Sequence, residues 1–373
     1  MKFRTPIFIQ AGLGKNAQPI EELCARWDLY GKTLKMLTEG ELQKIIVFLP
    51  LSSDSRDLPH FQNLELHFTQ DTLFGRLVLM FKLHRRINTL QPGLVTLIAG
   101  DLYLSPLIAR ILKFFSKESI KIQVQFHGAT YINHSRGLRA KLKHLLMKMA
   151  VLSSDSIRIV SSFQQREIQA IAGPNSKEFV ICPVPISLAK IPTSRTPHQG
   201  LSFLVLGRLH NERGIDNILE LIELLVKEKF ECSFDVVGDG PLRQSFEPYV
   251  NDQKSPTKVI LHGTKNELEV SRFLAKSDLL ISFAQEEGYG LALREAVLSG
   301  VHVLARGNIG TEEVLSAFPG RADLIASAPE AFEFIARFSP TNNDLGNLTE
   351  IRKAQEMSDA KNIEALVMSW IRA

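Results

Sequence analysis

Cysteine is scarce: three in 373 residues, Cys24, Cys182 and Cys232, far apart and in no paired spacing. That argues against a disulfide framework or a cysteine-ligated zinc site and fits a reducing cytoplasm. Long apolar runs are missing too. LVTLIAG, before Asp101, falls far short of the roughly 20 residues a membrane span needs. The start, MKFRTPIFIQAGLGK, has a basic cluster but not the apolar core of about 7–15 residues that a signal peptide carries. The sequons Asn133-His134-Ser135 and Asn347-Leu348-Thr349 then read as chance matches. There is no Gly-x-Ser-x-Gly elbow, no Asp-x-Asp pair and no metal-spaced His/Cys cluster, so no metal ligand set is expected. Nothing repeats at a fixed period of about 20–50 residues.

What is present is ordinary globular material, 45% hydrophobic and 23% charged, at a length that favours two domains. The net charge of +4 conceals an asymmetry. Between Arg76 and Lys148 thirteen Lys and Arg face only Asp101 and Glu118, a local excess of +11 that leaves −7 for the rest. A basic half beside an acidic half suggests a localised anionic partner, either a membrane surface or a phosphorylated substrate. Aromatics are too thinly interleaved with the cations to suggest nucleic-acid binding.

Short β-rich runs alternate with helical stretches, which predicts α/β architecture with parallel sheets. In the first half the expected strands are TPIFIQ, KIIVFLP, LVTLIAG, KIQVQFHG, SIRIVS and EFVICPV, with amphipathic segments LFGRLVLMFKLHRRINTL and GLRAKLKHLLMKMAVL between them. Residues 182–200, with prolines at 183, 185, 192 and 197, read as an extended interdomain linker. A second series follows: strands SFLVLG, SFDVVG, KVILHG, DLLISFA and HVLA, and helices near 215–229, 267–276 and 291–299. We expect an N-terminal Rossmann-like domain over 1–190, a C-terminal one over 200–350, and a final helix at about 353–373 that packs back on the first.

The segment EEGYGLALREAV, residues 286–297, follows strand DLLISFA. Gly288 and Gly290 permit tight backbone geometry and close approach of a ligand. The free amides at the start of the following helix attract phosphate. Glu287 lies in the turn and Glu295 about one turn inside the helix. A nucleoside diphosphate sugar over that helix end would meet both carboxylates, which suit sugar and ribose hydroxyls; the bland alternative is a turn with two solvated glutamates. Upstream, LGRLHNERGIDNIL places Arg208, Arg213 and Gly214 after strand SFLV. Two cations there suit a diphosphate, or are ordinary surface charges. VVGDGPLR ends the next strand in a glycine-rich turn.

The ordered set GRLHNERGI, VVGDGPLR, VILHGTKNELE and EEGYGLALREAVLSGVHVLA resembles the C-terminal domain of retaining glycosyltransferases of family 4, which have the GT-B fold. The resemblance spans roughly residues 203–315. It implies two Rossmann-like domains facing each other across a cleft. It implies that Arg208 and Arg213 hold the donor diphosphate and Glu287 the donor sugar. Backbone of Gly288, Tyr289, Gly290 and Leu291 would contact sugar and phosphate, Glu295 the ribose, and Thr264 the base. The first half matches more loosely. His127 in QFHGAT resembles the family's acceptor-side histidine, or is a hydrogen-bonded structural residue. Gly12-Leu13-Gly14 sits where the family carries a Gly-Gly pair near the donor phosphate. ICPVPI lacks the Asn-Gly of the family's hinge turn.

The activity so implied is transfer of a hexose-type sugar, with retention, from a UDP- or GDP-type donor, with no cofactor and no metal. The departing diphosphate helps take the acceptor's proton while Arg208, Arg213 and the helix amides stabilise its charge. Domain closure over the linker would exclude water. Rivals are a GT-B epimerase and a catalytically inactive binding scaffold. A dehydrogenase is a poor fit: Gly12-x-Gly14-x-x-Ala17 has the glycine spacing, but the second strand ends in Leu49-Pro50 and the next acid is Asp54, about twice as far as the roughly 20 positions at which that motif wants an acid at the strand end.

The segment 134–150 carries Arg136, Arg139, Lys141, Lys143 and Lys148 beside Leu138, Leu142, Leu145, Leu146 and Met149. At about 100° per residue these apolar positions share one face. A core-packed helix with a solvated basic face would explain that. So would attachment to anionic lipid, worth roughly 1 kcal/mol per nearby cation. We expect a peripheral protein on the inner face of the cytoplasmic membrane, held through Arg139, Lys141, Lys143 and Lys148. Its acceptor would be a glycan or lipid-linked species of cell-surface polysaccharide or lipopolysaccharide.

Overall fold

The structure, a computed structural model, describes residues 3–11, 20–51, 59–90, 94–116, 119–127, 137–173, 177–250, 254–340 and 345–372. The chain forms two compact units, Met1–Pro183 with Asp359–Ala373, and Val184–Ser358.

In the first unit the strands β1 (Thr5–Ile9), β2 (Ile45–Leu51), β3 (Leu64–Gln70), β4 (Val95–Ala99), β5 (Ile120–Gln125), β6 (Ser156–Ile159) and β7 (Glu178–Ile181) form one parallel sheet. Their order is β3-β2-β1-β4-β5-β6-β7. Strand β4, VTLIA, is buried throughout, as a strand covered on both faces must be. Helices α2 (Leu73–Thr89), α3 (Leu104–Phe115), α4 (Leu138–Ser153) and α5 (Ser162–Ala172) lie over one face. There Leu79, Leu83, Ile108, Leu112, Met147, Val151 and Ile168 join one core. The other face carries α1 (Ile20–Leu37) and, from Asp359 on, the last helix, α11 (Leu345–Ile371). Cys24, Trp27, Tyr30 and Leu34 of α1, at helical spacing, pack with Ile363, Leu366, Val367 and Trp370. Trp370 meets Phe8 edge-on at 5.2 Å, and its indole nitrogen donates to Gln123 at 2.7 Å, satisfying the polar tip that burial would otherwise penalise.

The second unit repeats the plan with β8 (Leu201–Leu206), β9 (Cys232–Val237), β10 (Thr257–Gly263), β11 (Leu279–Ser282), β12 (His302–Arg306) and β13 (Ala322–Ile325). They are ordered β10-β9-β8-β11-β12-β13. Helices α6 (Ile215–Lys227), α7 (Glu267–Lys276), α8 (Leu291–Leu298), α9 (Ile309–Ala317) and α10 (Ala328–Arg337) connect them. Of residues 182–200, expected as an extended interdomain linker, those from Val184 on belong to this unit. Ile186 and Ile191 are buried in its core, Thr196 N donates to Ala275 O, and Arg195 bonds Asp278 at 3.1 Å. The prolines make this stretch extended, and its isoleucines draw it onto α7 and α8.

The apolar stripe read on α4 faces outward. Leu138, Leu142 and Leu145 are exposed, while Met147, Ala150 and Val151 supply its core contacts. The periodicity defined a face but not the side on which the sheet lies. No helix among the described residues is long and apolar enough to cross a membrane. All three cysteines are buried and free.

Candidate functional site

In both sheets the strand order reverses once, between β1 and β4 and between β8 and β11. Loops leaving the carboxyl ends of strands that diverge at such a point flank a crevice, the usual ligand position in open parallel sheets. In the second unit the loop after β8 carries Arg208 and Arg213, and the loop after β11 carries Glu287.

The two loops are tied together. Gln285 N donates to Glu212 O at 3.0 Å, and Arg213 Nη1 donates to Glu287 Oε2 at 2.9 Å. Glu287 Oε1 accepts Gly290 N at 3.3 Å, so one carboxylate fixes both the arginine and the turn. Arg208 pairs with Glu212 at 3.0 Å, its side chain 53% exposed. His210 also pairs with Glu212. Two cations are thus aligned along one loop by acids of their own surroundings, and Arg208 keeps much of its surface for an anion.

Gly290 is the residue before α8, with φ 70° and ψ 42°. This left-handed conformation disfavours side chains. No side chain caps α8, so the amides at its start retain donor capacity. The turn ahead of it is held from within. Arg294, 8% exposed, donates Nε to Tyr289 O at 3.0 Å and stacks on the Tyr289 ring at 4.3 Å. Gly310 of α9 lies so close to the turn that a Cβ there would overlap the Glu287 carbonyl. Asn308 donates to Ala284 O at 3.1 Å. Sequence reading named neither Glu212, Arg294, Asn308 nor Gly310, because their roles depend on contacts between loops.

Glu295 sits on α8, half-buried. Burial raises its carboxyl to about 7, with Lys190 pulling the other way. Gly288 is buried, and Tyr289 and Leu291 are half-buried. Thr264 is exposed directly after β10. The turns after β8, β9 and β10 are stitched side by side, with Gly207 N donating to Val237 O at 3.0 Å and Gly238 N to Gly263 O at 2.9 Å. The structure therefore gathers the candidate donor residues of the second unit at the carboxyl ends of β8–β11.

In the first unit the loop after β1 is anchored at its own switch point. Ala11 N donates to Ser105 Oγ at 2.9 Å and to Asp101 Oδ2 at 3.2 Å. Asp101 also takes the amides of Tyr103, Leu104 and Ser105 at the start of α3. Gly12 and Gly14 lie outside the described residues. His127 follows β5 and keeps an exposed surface. Its pKa is held well below the usual histidine value, by burial first and then by the Arg158 and Arg26 guanidinia. Because the residue retains solvent contact, the two charges are the firmer cause. The ring is neutral at neutral pH and offers a lone pair. Arg158, 1% exposed, spends its donors on Cys182 O at 2.9 Å, Gln125 at 3.1 Å and Pro183 O at 3.3 Å.

Two Rossmann-like units with these switch-point loops have the fold seen in GT-B glycosyltransferase structures. Residues 189–326 match the glycosyl transferases group 1 family. It is 23% identical over 281 residues, 69% of this chain and 74% of the other, to an uncharacterized 41.2 kDa protein in the cps region of Klebsiella pneumoniae. Among further curated relatives the aligned share of their own length is 25–42%. The fold is similar to that of the lipopolysaccharide outer core galactosyltransferase WaaB, with TM-score 0.63, 14% identity, and 96% of this chain and 98% of that one covered. It is also similar to Anabaena HepE in complex with UDP and glucose, with TM-score 0.63, 15% identity, and 98% and 95% covered.

Proposed function

We propose that the protein transfers a hexose-type sugar, with retention, from a UDP- or GDP-sugar to a glycan or lipid-linked acceptor of cell-surface polysaccharide. The observation that carries this reading is the Arg213–Glu287 bond joining the loops after β8 and β11, beside the uncapped start of α8. In this reading Arg208 and Arg213 take the diphosphate, Glu287 the donor sugar, and Glu295 the ribose. Backbone of Gly288 to Leu291 meets sugar and phosphate, and Thr264 lies near the base. The acceptor hydroxyl bonds the anomeric carbon on the face from which the diphosphate departs. The diphosphate keeps the bonding electron pair and takes the acceptor's proton, and the fixed cations stabilise that charge as it forms. His127, neutral, would accept a hydrogen bond on the acceptor side. No metal is required for these steps.

The named relatives support the acceptor class: a cps-region protein and a lipopolysaccharide galactosyltransferase. The cations of α4, Lys141, Lys143 and Lys148, are exposed. With Arg139, whose side chain lies outside the described residues, they would draw the first unit to an anionic membrane, on the cytoplasmic side if the donor is cytosolic.

A thermal-shift panel of nucleotide sugars tests the donor. A ligand at 100 times its Kd adds about 2.7 kcal/mol of stability. Glu287→Ala should then damage transfer more than binding of the free nucleoside diphosphate, whereas Glu295→Ala should weaken that nucleotide directly. Equal losses on both measurements would contradict the division of roles.

A further inference from the structure

Three neighbouring helices of the first unit turn the same kind of surface to solvent. α2, α3 and α4 all bury one face in a common core beneath them, so their opposite faces look away from the sheet together. On α2 that outer face is Phe74, Leu77 and Phe81, spaced i, i+3, i+7, directly opposite the buried Leu79, Leu83 and Ile87. On α3 it is Leu107, Arg110 and Phe114 at the same spacing. On α4 it is the leucine stripe described above. Phe74, Phe81, Phe114 and Phe115 are 67–82% exposed. Single exposed apolar residues are commonplace, but a run of them over adjacent helices marks an interaction surface.

The charge on these helices identifies the partner. The sequences of α2, α3 and α4 contain no Asp or Glu. Some of their cations are engaged with acids from elsewhere, as Arg86 is with Glu65 and Lys113 with Asp155. Arg85, Arg110, Lys141 and Lys148 have no ion-pair partner among the described residues, and all four are exposed. A protein partner of ordinary surface would offer mixed charge. A surface with exposed phenylalanine and leucine on helices whose charged residues are all cations complements a sheet of anionic headgroups over acyl chains.

We propose that the outer face of α2, α3 and α4 docks on an anionic phospholipid bilayer, with Phe74, Phe81 and Phe114 entering the headgroup–acyl boundary. This rests on the membrane attachment given under the proposed function and deepens it, since attraction by cations alone requires no insertion. Cations and inserted rings respond differently to salt. Attraction between exposed charges is screened over about 10 Å at 0.1 M salt and about 3 Å at 1 M, whereas apolar burial is not weakened by salt.

The test is sedimentation of the full chain with vesicles of phosphatidylcholine alone, or with about one third phosphatidylglycerol, at about 0.1 M and about 1 M salt. Wild type should bind the anionic vesicles at low salt and stay substantially bound when salt is raised. Phe74→Ser/Phe81→Ser/Phe114→Ser alters only exposed side chains, so nucleotide binding should be unchanged. Its vesicle affinity should fall about tenfold or more, with nothing left at high salt. Wild-type binding that high salt abolishes would overturn insertion while leaving the electrostatic attachment standing. No binding to anionic vesicles at low salt would sink both, and glycosyl transfer would still be decided by the nucleotide experiments. A concentration-dependent dimer dissolved by the same triple substitution would overturn the bilayer in favour of a second copy of the chain.

Discussion

Replacing Glu295 with glutamine removes a carboxyl that the fold raises from an ordinary 4.5 to about 7. The cause is burial on α8, and Lys190 opposes it only in part. Between those two values the native protein holds a proton that the unfolded chain releases. The carboxyl's contribution to stability is therefore complete below about 4.5 and is lost as pH rises through 7. A rise of about 2.5 at 1.36 kcal/mol each gives an upper bound of about 3 kcal/mol. Partial solvent contact halves it, to about 1.5 kcal/mol. Both tryptophans, Trp27 and Trp370, lie in the first unit, so tryptophan fluorescence would not follow the unit concerned. Urea unfolding by far-UV circular dichroism, near pH 5 and near pH 8, is the suitable assay. Glu295→Gln should gain about 1.5 kcal/mol on wild type between the two pH values. A difference between the proteins that is the same at both would show that Glu295 titrates as an ordinary carboxyl, and the burial argument would fail.

Gly310→Ala should push the turn bearing Glu287 and destabilise by about 1–3 kcal/mol, the usual cost of overpacking. Nucleotide-sugar affinity should fall with it, and an unshifted urea midpoint would count against the close approach. Asp235, 1% exposed, holds His262 at 2.5 Å and Lys276 at 2.7 Å. Asp235→Ala strands both partners and should cost about 3 kcal/mol on urea unfolding. A loss below about 1 kcal/mol would mean that the cluster is solvated.

Much of the fold was legible because its central strands are continuous runs of β-branched and aromatic residues. IIVFL, VTLIA and FLVL can be little else when both faces are covered. The strands that escaped reading are edges. β3 is mostly half-exposed and β13 has two exposed residues, so LELHFTQ and ADLI lack the buried-run signature. Glu287 and Glu295 were legible because one turn and one helix carry both. The Arg213–Glu287 bond joins residues 74 positions apart, and no local pattern encodes it. Arg294 looks in sequence like a solvated helix charge, and only the fold shows it locked under Tyr289. On α4 the period of the leucines was legible but their direction was left open, since a helix declares its stripes but its sheet decides which one is buried.

Binding of the donor's diphosphate by the loop after β8 is tested by titrating UDP and GDP into the full chain. Wild type should bind one of them. Arg208→Ala and Arg213→Ala should each weaken it at least about tenfold, about 1.4 kcal/mol, with an unchanged circular dichroism spectrum. Folded variants that bind the nucleotide as tightly as wild type would show that neither arginine holds the diphosphate.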